Sequence, residues 1–525
     1  MRARILAPEN RKWWTLAAVA FGLFMIMLDN TVVNVALPKI QKDLNADPAS
    51  LEWTLNAYVL TFAALILLGG KLGDRFGRKR FFIIGVVVFT VASAACALST
   101  SDTQLIAART LQGVGAAMLN PLSLSILVAA FPRQQLPQAI GIWAGISGLG
   151  LAIGPLLGGF LIEHVSWSAV FWINVPIGVA AAAAAVWAVV ESRDPQTRTL
   201  DVVGTLLVTG GLFSLVWALI ETTSHSWTSL YTLGFLGTAA VLFTLFLFWE
   251  LRHPDPMVPL GLFRNRVFTV ANTVVSLVGF AMFGVIFFIT LYFQNVQGYS
   301  PMEAGVRSLP LTLMVLFVSP VAGKLNSKYG PRPLLTVGMT LMGLALLGLS
   351  RIEVDTAYSY IAPFYVMMGV GISMSMPSVS SAAMGAVDPR RAGIASGMVN
   401  SSRQVGGALG IAVLGSIGAT RAASAWDDKT SGVAALQNAP DSLVQAVVGG
   451  RGDVVARATH SPALGHAALE SFVTGVQGAM LVGSVLAFAA AAISYFGMTG
   501  TRPAPAPSAE REAAEAGVAG TPIEV

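Results

Sequence analysis

The sequence has little charge. Only 11% of its 525 residues are Asp, Glu, Lys or Arg, and 54% are apolar, whereas soluble chains carry about 25% charged residues. A soluble fold of this size would lack the polar residues that cover a surface. Apolar runs of about 18 to 25 residues, the length at which a helix crosses a bilayer, recur along most of the chain. The composition therefore predicts a polytopic membrane protein with the lipid bilayer as partner.

Cysteine and histidine are also scarce. Cys96 is the single cysteine, so neither an intramolecular disulfide nor a cysteine-based zinc site is possible. The five histidines lie in loops or at the ends of apolar runs. The motifs H-E-x-x-H, G-x-S-x-G and G-x-x-x-x-G-K-[ST] do not occur, so metal-dependent, nucleophilic and ATP-driven chemistry lack their usual residues. We expect no enzyme, no cofactor and no metal. We attribute the net charge of +5 to topology, not to nucleic acid.

The apolar runs and the basic residues predict a topology. We count fourteen spans, the last two at 392–419 and 472–496. Most of the 32 Lys and Arg residues lie in segments on the side of the N-terminus, which the positive-inside rule places in the cytoplasm. An even number of spans then puts both termini there. The loop 420–471 is predicted outside, with a short helix at its apolar stretch 443–448.

An internal repeat relates the two ends of the chain. GKLGDRFGRKR at 70–80 returns as GKLNSKYGPRP at 323–333. The pattern Gly-Val-Gly-x-x-Met-x-x-Pro at 113–121 returns at 369–377, with nearly the same offset. Chance alignment of Gly-rich helices would explain one match, but several in one register indicate duplication. Two parallel six-helix bundles with two helices inserted between them fit this spacing, and transporters of that kind bind substrate between the bundles.

These observations divide the chain into five regions. In order they are a cytoplasmic N-terminus (1–13), an N-terminal six-helix bundle (14–190), the two inserted helices with their flanking loops (191–266), a C-terminal six-helix bundle containing the long extracytoplasmic loop (267–496), and a disordered cytoplasmic tail (497–525) that is rich in Pro and Ala.

Several segments resemble the fourteen-span drug:proton antiporters of the major facilitator superfamily. Besides the loop at 70–80, they are LDNTVVNVALPKI (28–40), RTLQGVGAA (109–117), GLGLAIGPLLGG (148–159), FWINVPIG (171–178) and SSRQVGGALG (401–410). Two departures from the family pattern are Ser168, where Arg is usual, and Asn326-Ser327 in place of Gly73-Asp74 in the second loop copy.

The resemblance implies a function. An all-α major facilitator protein of this branch is a monomer in the bacterial plasma membrane that exports amphipathic, often cationic, drugs in exchange for protons. The small-molecule substrate and the coupling proton are then its only ligands. A dedicated exporter of a single metabolite, antibiotic or lipid stays open as the alternative.

Asp29 and Arg109 are charged residues inside spans 1 and 4. Asp29 lies ~13 Å below the outer end of its span and Arg109 ~8 Å, at 1.5 Å per residue. Charged groups at such depth are costly and indicate function by default. The two side chains can pair if spans 1 and 4 are neighbours, as the resemblance implies. We predict that Asp29 binds the coupling proton beside Arg109. The alternative is a static ion pair between two helices.

Two glycine-containing segments are predicted to serve conformational change. Glycines in the loop between spans 2 and 3 permit a tight turn, and Asp74 is expected to hold a helix N-terminus or an Arg in one conformation only. Small residues at every fourth position of span 5 indicate close helix packing, and the resemblance implies a seam that moves between the halves. The residues are Gly70, Gly73, Asp74, Arg75, Gly77 and Arg78 in the loop, and Gly150, Gly154, Pro155 and Gly158 in span 5.

Polar and aromatic residues within the spans are candidates for a central cavity, although hydrogen bonds between helices explain each one equally well. Arg403 is the most informative, because an unpaired charge near the middle of span 13 is costly. Its partner is either an anionic substrate or a carboxylate on another span. The candidates are Asn34, Asn56, Tyr58, Gln112, Asn120, Trp143, Tyr292, Gln294, Asn400, Arg403 and Gln404.

Overall fold

The computed structural model describes residues 8–132, 135–193, 200–223, 225–254, 256–388, 392–431 and 440–498. Within these ranges the chain is helical, without strands, and fourteen helices are long and apolar enough to cross a membrane. The predicted all-α membrane fold with fourteen spans is therefore confirmed. Residues 1–7, and the predicted disordered tail from residue 499 onward, lie outside the described residues.

The membrane helices are numbered in chain order. They are α1 Pro8–Asp43, α2 Pro48–Phe76, α3 Arg78–Ala97, α4 Asp102–Ala130, α5 Leu136–His164, α6 Ala169–Ala188, α7 Val202–Ile220, α8 Leu230–Glu250, α9 Arg266–Leu291, α10 Pro301–Tyr329, α11 Pro331–Leu349, α12 Tyr358–Gly385, α13 Ala392–Thr430 and α14 Pro462–Gly497. We name the face where α1 begins and α14 ends the terminal face, and the other one the opposite face.

The repeat is visible in how α2 and α10 begin and end. Each starts on a proline, which suits the first helical position because it lacks an N–H, and each is preceded by a capping side chain, Asp47 or Ser300. Each ends at a glycine with positive φ, 125° at Gly77 and 80° at Gly330, a conformation that favours glycine. The offset that relates the two loop copies also relates each of these pairs, so the duplication extends over whole helices.

The same helix contacts recur in the two halves, α1–α6 and α9–α14. In the first half α1 packs on α5 and α6, while α2 and α3 pack on α4. In the second half α9 packs on α13 and α14, while α10 and α11 pack on α12. The halves meet along two seams, α5 with α10 and α2 with α13. The repeat relates α2 to α10 and α5 to α13, so each seam is the counterpart of the other. The inserted helices α7 and α8 pack on each other, and α7 contacts both helices of the α2–α13 seam.

The long loop is shorter than predicted. Helix α13 continues to Thr430 and α14 begins at Pro462, so both helices extend beyond the predicted spans 392–419 and 472–496 into the loop predicted at 420–471. Hydropathy detects the membrane-embedded part of a helix and misses a polar extension such as the one that carries Asp427 and Asp428. The stretch 443–448 does form a helix, Asp441–Val448, and a second helix, Gly452–Thr459, follows. Both pack around the buried side chain of Trp426.

The glycine stripe of α5 packs within its own half. Gly150 lies against Phe24, Gly154 against Thr31 and Gly158 against Val32, all on α1. The sequence analysis expected this stripe to lie between the two halves. That expectation is wrong for the three glycines, because they face α1 of the same half and not α10 of the other half. Across the α5–α10 seam the close contacts are instead between Pro155 and Gly305, and between Gly159 and the first turn of α10.

We expect Gly410→Ala to destabilise the protein. Gly410 is the repeat counterpart of Gly154, and a β-carbon there would overlap the backbone oxygen of Phe280 on α9. Overpacking of this kind costs about 1–3 kcal/mol, so the unfolding temperature in detergent should fall. Gly145→Ala on α5 is the control, because nothing lies within 4 Å of its added β-carbon. Equal unfolding temperatures for both variants would contradict the packing described above.

Candidate functional site

A cavity of about 360 Å³ lies between the two halves, toward the terminal face. Its walls come from α1, α4 and α5 of the first half and from α9, α12 and α13 of the second. The lining residues are Leu23, Met27, Asn120, Trp143, Val275, Met376, Ser380, Met384, Ser396, Val399, Asn400 and Arg403. An apolar wall with a few polar groups is typical of small-molecule sites.

Arg403 is the one charged side chain among the described residues that line this cavity. Its Nη2 donates to Asn400 Oδ1 at 3.4 Å, one turn earlier on the same helix. Among the described residues that line the cavity, none is acidic. The carboxylate partner considered from the sequence is therefore not among the lining residues. The methionine side chains and Trp143 add adaptable apolar surface.

The cavity candidates fall into three groups. Asn120, Trp143, Asn400 and Arg403 line the cavity, and Asn34 lines a smaller one of about 50 Å³ toward the opposite face. The others are not among the lining residues of either cavity, because polarity alone does not separate a cavity wall from a helix interface. They are Asn56, Tyr58, Gln112, Tyr292, Gln294 and Gln404.

The two halves are joined at the opposite face. Gln294 Nε2, in the helical turn Tyr292–Val296 that follows α9, donates to the Val35 carbonyl of α1 at 2.9 Å. Glu163, on the last turn of α5, accepts from Ser300 Oγ at 2.8 Å and from the Met302 amide at 3.2 Å at the start of α10. Gln294 is therefore a contact between the halves. These bonds close the bundle on the side away from the larger cavity.

Asp29 and Arg109 form a buried ion pair. Arg109 Nη1 donates to Asp29 Oδ2 at 2.5 Å, and the two side chains are 1% and 0% exposed. Gln112 Nε2 donates to Asp29 Oδ1 at 2.8 Å. Arg109 also donates to Gln112 Oε1 at 2.7 Å and to the Thr54 carbonyl at 3.1 Å, and its guanidinium lies 4.3 Å from the ring centre of Tyr58. Short bonds between charged groups are the stronger class of hydrogen bond.

Two further residues complete this network. Asn174 Nδ2 on α6 donates to Asp29 Oδ1 at 3.2 Å and to Ser93 Oγ at 3.1 Å, and Ser93 donates to the Phe171 carbonyl at 2.8 Å. The sequence reasoning missed both side chains. Asn174 lies in the segment FWINVPIG (171–178). That segment served only to show the resemblance to the family, and nothing in it indicated that Asn174 contacts Asp29. The network joins α1, α2, α3, α4 and α6 of the first half, and none of its side chains is among the residues that line the larger cavity.

Comparison with known proteins identifies the family. The sequence profile described as Major Facilitator Superfamily matches residues 19–411. This chain belongs to the major facilitator superfamily. It is 38% identical to the tetracenomycin C resistance and export protein of Streptomyces glaucescens over 93% of this chain and 92% of that protein.

Other proteins are also similar to this chain. The multidrug resistance protein Stp of Mycobacterium tuberculosis is 38% identical over 77% of this chain and 75% of its own length. The methylenomycin A resistance protein of Streptomyces coelicolor is 36% identical over 78% and 86%. Among solved structures, an inward-facing, unoccupied bacterial homologue of the human lysosomal transporter Spinster has a TM-score of 0.64 at 19% identity, covering 95% of this chain and 99% of that one. This likeness shows the major facilitator fold.

The loop between α2 and α3 is organised around Glu191. This residue follows α6 and accepts from the amides of Lys79 and Arg80 at 3.1 and 3.2 Å, at the N-terminus of α3. A carboxylate is stabilised there by the helix dipole. Asp74 instead accepts from Arg78 Nε at 2.7 Å, within the loop itself. The sequence analysis expected Asp74 to hold a helix N-terminus or an Arg, and Asp74 does hold an Arg. The sequence analysis missed Glu191, which holds the N-terminus of α3.

The other predicted loop residues serve close packing or lie at the surface. Gly70 and Gly73 lie against Pro121 and Leu122 of α4, so α2 and α4 approach closely. Gly77 lies against the Glu191 carboxylate. Arg75 lies over the ring of Phe76 at 5.1 Å from its centre.

Arg109→Gln should be less stable than the double variant Asp29→Asn/Arg109→Gln. The single change leaves the Asp29 charge buried without its cation, and breaking a buried pair in this way costs about 3–5 kcal/mol. The double change removes both charges and should recover much of the loss. Thermal unfolding of the purified protein in detergent measures the difference, with the exposed Arg351→Gln as control. A double variant whose loss equals the sum of the two single losses would show that the pair is not coupled.

Proposed function

We propose that this protein is a proton-driven exporter of amphipathic small molecules across the bacterial plasma membrane, a transporter and not an enzyme. The observation that carries the proposal is the cavity between the two halves, near the terminal face, with the halves joined at the opposite face. Alternating-access transporters bind their substrates at such an interface. The relatives named for tetracenomycin C export, multidrug resistance and methylenomycin A resistance support export.

We assign the terminal face to the cytoplasm. The loop between α2 and α3 alone contributes Arg75, Arg78, Lys79 and Arg80 to that face, and cytoplasmic loops are rich in Lys and Arg. In this orientation both termini are cytoplasmic. The cavity then loads from the cytoplasm, as the first step of export requires.

The contacts of Asp29 suit a residue that gains and loses a proton. Arg109 has two other acceptors, Gln112 Oε1 and the Thr54 carbonyl, so its donors keep partners when Asp29 is neutral. Protonation of Asp29 would weaken its attraction to Arg109 and loosen the bonds that connect α1 to α4 and α6. Proton binding is thereby coupled to the packing of the first half.

Asp29→Asn should abolish transport driven by a proton gradient. The amide cannot exchange a proton but fits the same space, so substrate binding should persist. The assay is efflux of a fluorescent drug from cells and proteoliposomes, with and without a protonophore. Asp43→Asn, at the exposed end of the same helix, is the matched control and should transport normally. Coupled transport by Asp29→Asn with an unchanged pH profile would overturn this role.

The charge of the cavity bears on the kind of substrate. The sequence analysis expected amphipathic, often cationic, drugs. Arg403 is the charged group of the lining, and no acidic side chain accompanies it there among the described residues. Like charges brought together in a desolvated site repel strongly. We therefore assign uncharged or anionic amphipathic molecules to this cavity ahead of cations.

Arg403→Gln should selectively weaken export of an anionic probe. We expect about a tenfold loss of apparent affinity for carboxyfluorescein, equivalent to ~1.4 kcal/mol, and an unchanged or improved affinity for ethidium. Transport rates in proteoliposomes measure both, with Arg307→Gln, outside the cavity lining, as control. Native protein that prefers ethidium, with no change in preference in Arg403→Gln, would contradict the assignment.

A dedicated exporter of a single compound is the second candidate. It is favoured by the relative that matches nearly the whole chain, because that protein is named for tetracenomycin C alone. A panel of unrelated dyes and antibiotics separates the two candidates. Efflux of several members of the panel supports a multidrug exporter, and efflux of one supports a dedicated exporter.

A further inference from the structure

Glu52, near the opposite-face end of α2, is a buried carboxylate that the mechanism above does not use. Its side chain lies in the α2–α13 seam and the residue is 3% exposed. Its Oε2 has no hydrogen-bond partner among the described residues. The carboxylate occupies the space beside Gly415 of α13, where an added β-carbon would overlap Oε1. An acidic group of the first half is thus inserted into the second half.

The repeat shows that packing does not require a side chain here. In the register that aligns α2 with α10, the counterpart of Glu52 is Gly305, which lies against the Pro155 backbone in the α5–α10 seam. In the register that aligns α5 with α13, the counterpart of Gly415 is Gly159, which lies against Met302 in that seam. In the α5–α10 seam the helices are therefore in close contact at two glycines, Gly159 and Gly305. At the equivalent place the α2–α13 seam contains Glu52 and Gly415.

Among the described residues, no ion pair joins Glu52 to a cationic side chain, and its Oε2 has no hydrogen-bond donor. Arg109 of α4 is bound to Asp29 and the Thr54 carbonyl. On the other side, Glu52 faces Gly415 of α13. The nearby carboxylates and the histidine lie at the ends of neighbouring helices. They are Asp47 before α2, Asp102 of α4, and Glu221 with His225 after α7. An ionised carboxylate buried without a partner is very costly, and such a group is neutralised instead.

Glu221, outside the membrane segments, reports on the same environment. Burial raises the pKa of Glu221, and the nearby Asp47 adds to this shift against the opposing effect of His225. This end of the α2–α13 seam therefore accumulates acidic groups.

We propose that Glu52 is a second proton-binding site and that it must hold a proton for the α2–α13 seam to close at the opposite face. This inference rests on the proposed proton-driven function. When the seam opens, the carboxyl meets water at the opposite face and gives up its proton. When the seam closes, it takes a proton from that same water. Glu52 therefore controls closure, while the proton carried across the membrane is exchanged elsewhere.

The test measures the width of the opposite face as a function of pH. Spin labels at Thr100 and Ala357, which are exposed turns of the two halves on that face, report the distance by electron–electron double resonance in nanodiscs. The buried Cys96 is replaced by alanine. In native protein the short distance should dominate at pH 5 and a longer one should grow in toward pH 9. Glu52→Gln, which mimics the protonated form, should keep the short distance throughout.

Three variants make the outcome unambiguous. Asp43→Asn changes an exposed carboxylate at the opposite-face end of α1, which pairs within its own helix, and should keep the native response. Glu52→Gly introduces the residue found at the equivalent position of the other seam, Gly305. It replaces Glu52→Gln in the experiment if the glutamine variant does not fold, and its opposite-face distance should likewise not change with pH. Asp29→Asn separates the two proton sites.

The outcomes are distinct. A pH response that persists in Glu52→Gln and Glu52→Gly, or that native protein lacks, overturns the role of Glu52. If Asp29→Asn alone abolishes the response, coupling resides at Asp29, and the inference fails while the proposed function stands. If both Glu52 variants lose the pH response and Asp29→Asn still shows transport driven by a proton gradient, the proposed role of Asp29 fails and that of Glu52 stands.

Discussion

The cost of burying a charge among membrane helices governs this structure. Ionisable residues at membrane depth are expensive, and three of them are treated differently here. Asp29 is neutralised by Arg109 and two amide side chains. Arg403 has one long bond to Asn400 and faces the cavity between the halves. Glu52 has an oxygen with no partner among the described residues and lies between the halves. The less completely a charge is compensated, the closer it lies to a surface that must change during transport.

The backbone supports this arrangement by close packing at glycines. Without a hydrophobic driving force between helices in lipid, small residues let backbones approach and gain dispersion contacts. Gly154 and Gly410, which are repeat counterparts, serve this purpose on α5 and α13. Each half is thereby a tightly packed unit, so changes of conformation concentrate at the two seams between the halves.

Much of the fold could be predicted from the sequence. Span length, repeat spacing and sparse charge are local patterns, and each has a direct counterpart in α1–α14. The Asp29–Arg109 pair was also within reach, because two opposite charges at similar depth need each other. The burial of Glu52 could not be predicted from the sequence, because Glu52 lies one turn from a helix end, where a carboxylate is ordinarily solvated. Its burial depends on Gly415, which belongs to the other half of the chain. Six of the eleven cavity candidates line neither cavity for the same reason, because tertiary contacts decide which way a side chain faces.

The inserted helices explain why the seams differ. The aromatic rings of Phe213 and Trp217 on α7 lie 5.4 and 5.1 Å from that of Trp53, the residue after Glu52. They cover the opposite-face end of α2, and α7 also contacts α13. No such pair covers the α5–α10 seam within the described ranges, and there Glu163 lies exposed and hydrogen-bonded. The duplicated architecture thus has one seam with a buried carboxylate, Glu52, and one with an exposed carboxylate, Glu163. The buried carboxylate gains a sensitivity to protonation that its counterpart position, a glycine, cannot have.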